Sequence, residues 1–476
     1  MNKQPEKIVP RSKNFADWYT SLIDAAKLSL YSPIKGEIIF RPKAWAIWTS
    51  IQKKLDELFI PLGVNNVQLP TFIKYSDFVK EAKHVEGFAP EVFLVTKKGS
   101  EVLSEPLVVR PTSEILFCHY FKSILTSYND LPIITNQWCN VFRAEKTTRP
   151  FLRTTEFFWQ ELHTIHETKE EAYEMARKEL ECYYELATKF LLIPVIRGEK
   201  TVGERFAGAE NTYTIEAIMQ DGQALQCGTS HYLGQNFGRT YELYFRGRDN
   251  KLSIPHQTSS GVSTRLLGGL IMTHSDDNGL VLPFYVANEQ IAILEVFADK
   301  DKKVDEVARK LQKELIAKGY KTTIDNSDKS FGYKINEKEV TGVPFSIIIG
   351  PKDIANNKAM LYRRDTREKV EVDLSNLVDS FADLIKQYQE NLFDKAKKNL
   401  EARMVNVDNI DDYKKALEEG KLILAPWGGS EADEKELKKQ TGSTPRCIKE
   451  EIKGKDVKCF FTKKKATHYV YFARAY

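Results

Sequence analysis

One stretch of the chain, NQWCNVFRAEKTTRPFLRTTEFFWQELHTIH at residues 136–166, combines two strand-like runs with many charged and aromatic side chains. If the runs form a β-hairpin, alternate side chains share one face of each strand. That face carries Cys139, Val141, Arg143 and Glu145 on the first run, and Phe157, Trp159, Glu161 and His163 on the second. A guanidinium group can donate two parallel hydrogen bonds to the oxygens of one phosphate, and an aromatic ring can stack on a base. The pattern therefore favours a binding site for a phosphate-bearing ligand. An exposed hairpin with ordinary cross-strand ion pairs explains the same spacing.

Two further segments favour the site. The segment RPTSE places Thr112 and Glu114 at a helix start, where both can accept hydrogen bonds from a cation. The segment GVSTRLLGG places Arg265 in the first turn of a helix after a strand, where a cation opposes the helix dipole and does not serve stability. A cap and a solvated arginine would explain either segment alone. Three such groups near strand ends or helix starts indicate a functional site.

The elements that position these residues are predicted from hydrophobic periodicity. Helices are predicted over NFADWYTSLIDAAKL and from Lys43 to about Phe59, and VNNVQLP is a predicted strand. EPLVVRPTSEILFCHYFKSIL is a predicted strand that turns into a helix, with Pro111 in the first helical turn. A helix over 169–191 and further strands follow. Because strands neighbour strands with few β-α-β alternations, we predict an antiparallel sheet flanked by helices.

After Pro283 strands and helices alternate, which predicts a small α/β domain. It begins with the buried strand QIAILEVFA and ends with the helix DLSNLVDSFADLIKQYQENLF. A helix between them presents Val304, Val307, Ala308, Leu311 and Leu315 on one face. A lysine-rich segment follows from about Lys395. The predicted fold class is therefore α+β multidomain, with domains at 1–284, 285–395 and 396–476.

Composition and charge limit the classes of protein. At 476 residues the chain is too long for one core. A net charge of +4 permits an anionic partner without requiring one. The sequence has neither a signal-peptide core nor a run of membrane-spanning length, so we expect a cytoplasmic protein without membrane contact. The six cysteines lie far apart without a C-x-x-C pair, which predicts reduced thiols.

These segments together resemble the three signature motifs of class II aminoacyl-tRNA synthetases. They are the long helix and strand ending at Pro70, the F-R-x-E hairpin at 142–145 with its returning strand, and the helix that carries Arg265. Within the class, RPTSE, RPFLRTTEFFWQELHTIH, GERFAGA (203–209), LQCGTSHYLGQNF and GVPFSIIIGPKD resemble prolyl-tRNA synthetases of the archaeal/eukaryote-like type. The resemblance covers nearly the whole chain. It implies a class II catalytic domain with an N-terminal leader at 1–284, an anticodon-binding domain at 285–395 and a small C-terminal α+β domain at 396–476.

The implied reaction joins L-proline to tRNA(Pro). Proline and ATP would give prolyl-adenylate and pyrophosphate, and transfer of proline to the tRNA would release AMP. Because the proline carboxylate is already ionised, its attack on the α-phosphate needs charge neutralisation and alignment instead of a general base. Arginines and Mg²⁺ can supply both. The class also implies a homodimer, with motif one, residues 43–70, at the two-fold interface.

The resemblance assigns roles to individual residues. It makes Arg143 and Arg265 catalytic, with Arg143 bridging the α-phosphate and the substrate carboxylate and Arg265 binding the γ-phosphate. The implied ATP-binding residues are Arg143, Glu145, Arg153, Thr154, Phe157, Gln226, Thr229 and Arg265. The implied proline-binding residues are Thr112, Glu114, Arg143, Trp159, Glu161, His163, Phe206, His231 and Ser263. A secondary ammonium has two N–H donors, which Thr112 and Glu114 could both accept.

Two departures from relatives carry further expectations. Many family members hold zinc on four C-terminal cysteines, but APWGGSEADE has no cysteine and KCFFTKK keeps only Cys459. Cys447 and Cys459 alone cannot build a tetrahedral structural site, so we expect no zinc. Between Glu145 and Arg265 the predicted helix and strands leave no room for the separate editing domain of bacterial-type enzymes.

Two alternatives remain beside the proline enzyme. One is a non-catalytic tRNA-binding or regulatory paralogue on the same fold. Such relatives tend to lose the ATP arginines, whereas this chain keeps Arg143, Arg153 and Arg265. The other is a class II synthetase for another small amino acid such as threonine or serine. The zinc-ligand set of threonine enzymes is not found in the sequence.

Overall fold

A computed structural model of the chain describes residues 7–80, 92–298, 300–454 and 456–476, so residues 1–6 of the predicted leader lie outside the described residues. Its α-helices are Phe15–Ala25, Pro42–Phe59, Tyr75–Phe78, Glu114–Ile124, Lys169–Glu185, Asn236–Thr240, Arg265–His274, Lys303–Ala317, Phe331–Thr341, Pro351–Ala355, Leu374–Arg403, Ile410–Glu418 and Glu431–Thr441. Its strands up to the third motif are β1 (Ser29–Tyr31), β2 (Ile38–Phe40), β3 (Asn65–Asn66), β4 (Phe72–Lys74), β5 (Phe93–Lys98), β6 (Glu101–Val109), β7 (Ile133–Phe142), β8 (Glu156–His166), β9 (Val195–Glu199), β10 (Asn211–Ile218), β11 (Ala224–Gly234), β12 (Phe245–Arg246), β13 (Leu252–Ser253) and β14 (His256–Ser263). The later strands are β15 (Ile291–Glu295), β16 (Thr322–Asp325), β17 (Phe345–Ile349), β18 (Lys358–Arg363), β19 (Lys369–Asp373), β20 (Met404–Asn406), β21 (Leu422–Trp427), β22 (Thr444–Glu451) and β23 (His468–Ala473).

The predicted antiparallel sheet flanked by helices is confirmed. Its strands β9, β10, β11, β14, β8 and β7 pair antiparallel in that order, and β3 adds a parallel pair at the β7 edge. Helices Pro42–Phe59 and Lys169–Glu185 contribute buried apolar residues to one core cluster with this sheet. That core holds one face of the sheet rigid, which leaves the other face available for a site.

The predicted hairpin is the best-defined part of this sheet. In the β7–β8 register Gln137 faces Glu161, Cys139 faces Trp159 and Val141 faces Phe157, as the alternation predicts. The prediction that Arg143 and Glu145 lie on the strand face is wrong. Because β7 ends at Phe142, both residues lie in the hairpin loop. The backbone N–H of Arg143 still donates to the carbonyl of Thr155 at 2.8 Å, which holds the loop closed at its base.

One predicted helix start is wrong. The helix after β6 begins at Glu114 with Ser113 at its N-cap, so Pro111 lies before the helix and not in its first turn. The four residues between the end of β6 at Val109 and the helix start at Glu114 form the turn from the sheet into the helix. Thr112 and Glu114 nevertheless lie together at that helix start, as predicted.

The second domain has the predicted α/β arrangement. Its sheet has five strands in the order β16-β15-β17-β18-β19. On helix Lys303–Ala317, Val304, Ala308, Leu311 and Leu315 are buried, and Val307 is partly buried against the same core, which confirms the predicted face. The last helix continues to Arg403, beyond the segment predicted as its end, and so passes through the predicted boundary at residue 395.

The C-terminal segment joins the central sheet instead of standing apart from it. Strands β20, β21, β23 and β22 continue the sheet beyond β9, so the described part of the chain contributes eleven strands to it. The connection is made where Ile448 of β22 pairs with Glu199 of β9. Among the described residues, no helix is both long enough and apolar enough to cross a membrane.

Candidate active site

A small pocket of about 240 Å³ opens on the free face of the central sheet. Most of the residues predicted to bind proline line it: Thr112, Glu114, Arg143, Trp159, Glu161, His163, Phe206 and His231. The helix start after β6 supplies Thr112 and Glu114, and the β7–β8 loop supplies Arg143. Strand β8 supplies Trp159, Glu161 and His163, the β9–β10 loop supplies Phe206, and β11 supplies His231. Sequence segments separated by more than a hundred residues therefore converge on one cavity.

Two buried carboxylates form the floor of this pocket. The hydroxyl of Thr112 donates to Glu114 Oε2 at 2.6 Å and lies 3.4 Å from Glu161 Oε1. Glu161 also accepts from the backbone N–H of Ser113 at 3.0 Å and from the side-chain amide of Gln137 at 2.7 Å. Such donors fix the positions of both carboxylates before any ligand arrives.

The electrostatics of the carboxylate pair favour a cationic ligand. Burial, and then the charge of Glu114, raises the pKa of Glu161 to about 7. Burial also raises the pKa of Glu114, although Thr112 and Arg143 oppose that change. Two carboxyl groups this close resist double ionisation, and an ammonium group between them would relieve the repulsion.

Part of the pocket wall consists of neutral aromatic rings. His163 stacks on Phe117 at 4.0 Å between ring centroids, and His231 stacks on Phe206 at 4.6 Å. Burial lowers the pKa of both histidines to about 3, so both rings are neutral at physiological pH. Neutral rings around a carboxylate floor suit a ligand with an apolar body and one positive charge.

A larger cleft of about 620 Å³ lies beside the pocket. Glu145 and Arg153 from the hairpin loop, Arg265 from the third-motif helix, and Arg149, Gln223 and Tyr476 line it. Arg153 forms an ion pair with Glu145 at 3.3 Å. In the smaller pocket, the Arg143 guanidinium lies 5.2 Å from the Phe157 ring centroid and 5.4 Å from that of Trp159, and the next residues, Ala144 and Glu145, line the cleft.

The arginines of this cleft repel one another. Burial, followed by the charges of Arg153 and Arg143, lowers the pKa of Arg265 to about 10. Backbone carbonyls hold the side chains in place: Arg143 Nε donates to Pro111 at 3.1 Å and Arg265 Nε to Leu152 at 3.2 Å. A preorganised cluster of positive charge is suited to a polyphosphate.

Some predicted site residues lie elsewhere. The hydroxyl of Thr154 is buried and donates to the carbonyl of Glu156 at 2.6 Å, and Ser263 accepts from the backbone N–H of Arg265 at 3.2 Å. Gln226 and Thr229, predicted for ATP, line the smaller pocket, and Gln226 also lines a third cavity of about 420 Å³. The roles of these residues stay predictions.

Other site residues escaped the sequence reasoning. Arg110 is 1% exposed and donates to the carbonyls of Leu69, Pro70 and Asn140, which ties motif one to the hairpin. Arg110 is the first residue of the RPTSE segment, so the motif could have identified it as a site residue. Tyr476 gave no such signal, yet its hydroxyl donates to Asp221 at 2.6 Å and its ring lies 5.8 Å from the Arg149 guanidinium.

A buried charge cluster, formed by Lys200, Glu216 and Arg446, attaches the C-terminal domain beside the cleft. Glu216 accepts from Lys200 Nζ at 2.6 Å and from Arg446 Nε at 3.1 Å, and none of the three is more than 5% exposed. Despite its burial, the pKa of Glu216 is lowered to about 2 because both cations stabilise the carboxylate. Arg446 also lines the third cavity, together with Arg153 and Arg265.

Comparisons with known proteins agree with this geometry. Residues 96–274 match the family described as tRNA synthetase class II core domain (G, H, P, S and T), residues 290–384 the anticodon binding domain, and residues 410–476 the prolyl-tRNA synthetase C-terminal domain. The Proline–tRNA ligase of Ureaplasma urealyticum is 48% identical over 476 residues, which cover all of both chains. That of Mesoplasma florum is 50% identical over 477 residues, again with full coverage of both. The Malacoplasma penetrans ligase is 48% identical over 99% of this chain and its own full length. The chain therefore belongs to the prolyl-tRNA synthetase family of class II aminoacyl-tRNA synthetases.

Proposed function

We propose that the small pocket binds L-proline, that the adjoining cleft binds ATP, and that the chain joins proline to tRNA(Pro). The observation that carries the proposal is the position of Arg143, which lines the carboxylate-floored pocket while the next two residues, Ala144 and Glu145, line the arginine-rich cleft. A group at that position can contact the carboxylate of the amino acid and the α-phosphate together. Neither the non-catalytic paralogue nor an enzyme for threonine or serine is favoured, because the arginines converge and the relatives are named as proline–tRNA ligases.

The two carboxylates would hold the secondary ammonium of proline. Thr112 and Glu114 accept its two N–H groups, while Glu161 adds negative charge behind them. Trp159, His163, Phe206 and His231 would surround the ring. Removal of water by these aromatic walls strengthens the attraction between the ammonium and the carboxylates.

In the cleft, Arg265 would bind the γ-phosphate and Arg153 the neighbouring phosphates, while Glu145 accepts from the adenine amino group. Arg143 neutralises charge on the α-phosphate while the proline carboxylate attacks it and pyrophosphate leaves. The carboxylates near the phosphates are Glu145, already paired with Arg153, and Glu204. This donor set fits Mg²⁺ held mainly by the nucleotide, with Glu204, Gln223 and Gln226 as further oxygen donors; the ion would neutralise phosphate charge.

Finer assignments belong to the same proposal. We place the chain in the archaeal/eukaryote-like subtype, in the cytoplasm and in a homodimer. Trp45 and Ile60 at the motif-one helix are 41% and 72% exposed, which fits an apolar subunit interface. We also propose that it needs no zinc: Cys447 and Cys459 belong to separate core clusters, and the described residues contain no group of three or more metal-ligating side chains.

Proline-dependent exchange of pyrophosphate into ATP tests the central proposal. The wild-type chain should exchange with proline and, among all twenty amino acids, with proline most efficiently. Arg143→Ala should lower the rate by roughly a hundredfold or more, as expected for loss of a charge that acts in the transition state. Near-normal exchange in that variant, or a preference for another amino acid, would contradict the assignment.

A further inference from the structure

The β9–β10 loop, residues 201–206, closes one side of the proline pocket. Glu204, Arg205 and Phe206 all line the pocket, and Glu204 also lines the neighbouring third cavity. On the side of the central sheet, the Phe206 N–H donates to Thr212 Oγ1 at 3.0 Å, and Arg205 of the loop pairs with Glu199 of β9 at 3.1 Å. The position of the Phe206 ring against His231 therefore depends on how this loop is held.

The other side of the loop rests on the C-terminal domain. Glu434, on helix Glu431–Thr441, is only 6% exposed although it is a carboxylate. Its Oε2 lies so near Gly203 that a Cβ on that glycine would come within 2.5 Å of it. A side chain more than two hundred residues away in sequence is thus in direct contact with the backbone of the pocket loop.

Two buried polar atoms at this contact lack a hydrogen bond of good geometry with any described residue. They are Glu434 Oε2 and the hydroxyl of Thr201. Both Thr201 and the backbone amide of Gly203 nevertheless lower the pKa of the Glu434 carboxyl, so they lie close to it. A small movement of the loop would complete these hydrogen bonds, and leaving such atoms unsatisfied is costly.

We propose that Glu434 is a positioning residue that holds loop 201–206, and with it Phe206, over the proline pocket. The inference rests on the proposed function, since it assumes that this pocket binds proline. It assigns to the C-terminal domain a part in amino-acid recognition. Glu434 touches neither substrate, so its effect should appear in the binding of proline and not in the chemical step.

The charge state of Glu434 provides a distinguishing signature. Burial, and then Glu204 on the loop and Glu431 on its own helix, raise the pKa of Glu434 to about 7, while Thr201 and the Gly203 amide oppose the rise. Because burial favours the neutral form of a carboxyl, covering Glu434 with the loop is most favourable when this carboxyl is protonated. The hold on the loop should therefore weaken as the pH rises from the ordinary carboxyl pKa of 4.5 towards 7.

The test compares the KM for proline in pyrophosphate exchange for wild type, Glu434→Ala and Glu434→Gln. Near pH 6, Glu434→Ala should raise this KM by about fivefold or more, the factor expected for one lost hydrogen bond, with kcat and the KM for ATP nearly unchanged. Glu434→Gln stays neutral and should match wild type near pH 6 and bind proline more tightly than wild type above pH 7. The matched control is Glu436→Ala, because Glu436 is exposed on the same helix and bonds to Gln440.

A second variant separates positioning from general damage to the domain. Gly203→Ala should raise the KM for proline in the wild-type background but have little effect together with Glu434→Ala, since the clash requires the Glu434 side chain. An unchanged KM for proline in Glu434→Ala near pH 6, or equal losses of kcat and of ATP affinity, would overturn the inference. If the wild-type chain shows no proline-dependent exchange, the proposed function itself has failed.

Discussion

The buried cluster of Lys200, Glu216 and Arg446 gives a prediction whose size can be worked out. One carboxylate lies between two cations, so removal of its charge by Glu216→Gln leaves two buried positive charges uncompensated. The lowering of the Glu216 pKa from 4.5 to about 2 corresponds to roughly 3 kcal/mol of net interaction with the ionised form. That value agrees with the ~3–5 kcal/mol expected when one member of a buried ion pair is removed.

Substitution of Arg446 should lower the stability of this region less than substitution of Glu216. Arg446→Met leaves the Lys200–Glu216 pair balanced, so it should cost less than Glu216→Gln although it removes a larger polar group. The lowered pKa of Glu216 adds a pH signature. Its contribution is present above the ordinary carboxyl pKa of 4.5 and is lost as the pH falls towards 2.

Hydrogen exchange of the amides of β9, β10 and β22 is the suitable assay, because a chain of several domains does not unfold in one step. If the opening free energy of this region falls by ~3 kcal/mol, exchange in Glu216→Gln should be about a hundredfold faster. Glu371→Gln is the control, since Glu371 is 65% exposed, lies 3.9 Å from Lys358 and should contribute little. An exchange rate less than about fivefold faster in Glu216→Gln, or a larger effect from Arg446→Met, would refute the electrostatic reasoning.

Three other predictions follow from the site and the motifs. In the proposed site the ionised form of Glu161 attracts the ammonium of proline. Since burial raises the pKa of Glu161 to about 7, the KM for proline should fall as the pH rises to about 7, and Glu161→Gln should remove most of this dependence in exchange assays. The chain should sediment as a dimer through motif one, and Ile60→Lys should weaken it; a fully active wild-type monomer by light scattering would exclude the interface. Metal analysis after washing with chelator should find no stoichiometric zinc while activity is kept, whereas one tightly held zinc per chain would contradict the proposal.

Local periodicity was enough to predict much of the fold. The β7–β8 hairpin follows from the two-residue alternation of its side chains, and the buried face of helix Lys303–Ala317 follows from the 3.6-residue helical repeat. Both patterns are local and can be read from a single sequence. Alternation also led to an error at Arg143 and Glu145, because periodicity cannot report that a strand ends at Phe142. The glutamates and arginines of the site were found because their types matched family motifs.

The rest of the site depends on contacts between distant segments. The sequence does not indicate that β22 pairs with β9, so the positions of Arg446 and Glu434 next to the catalytic domain and its loop 201–206 could not be predicted. Gln137 was missed for a related reason: its importance lies in its cross-strand position opposite Glu161. Thr154 and Ser263 have the expected residue types, but their side chains bond to backbone groups within their own segments.

Positive charges lie close together both in the arginine cleft and where the C-terminal domain meets it, and in both places acceptor groups of the protein hold them in position. Holding Arg143, Arg153 and Arg265 together is unfavourable without a bound anion, as the lowered pKa of Arg265 indicates. Side chains that pointed freely into water would move apart, and positioning for catalysis would then cost free energy at each turnover. Backbone carbonyls of Pro111 and Leu152 instead fix two of the guanidinium groups. Next to them, Glu216 pairs with Arg446 and with Lys200, so the arginine with which the C-terminal domain closes this edge of the site is held by a carboxylate and does not stand unpaired beside the cluster.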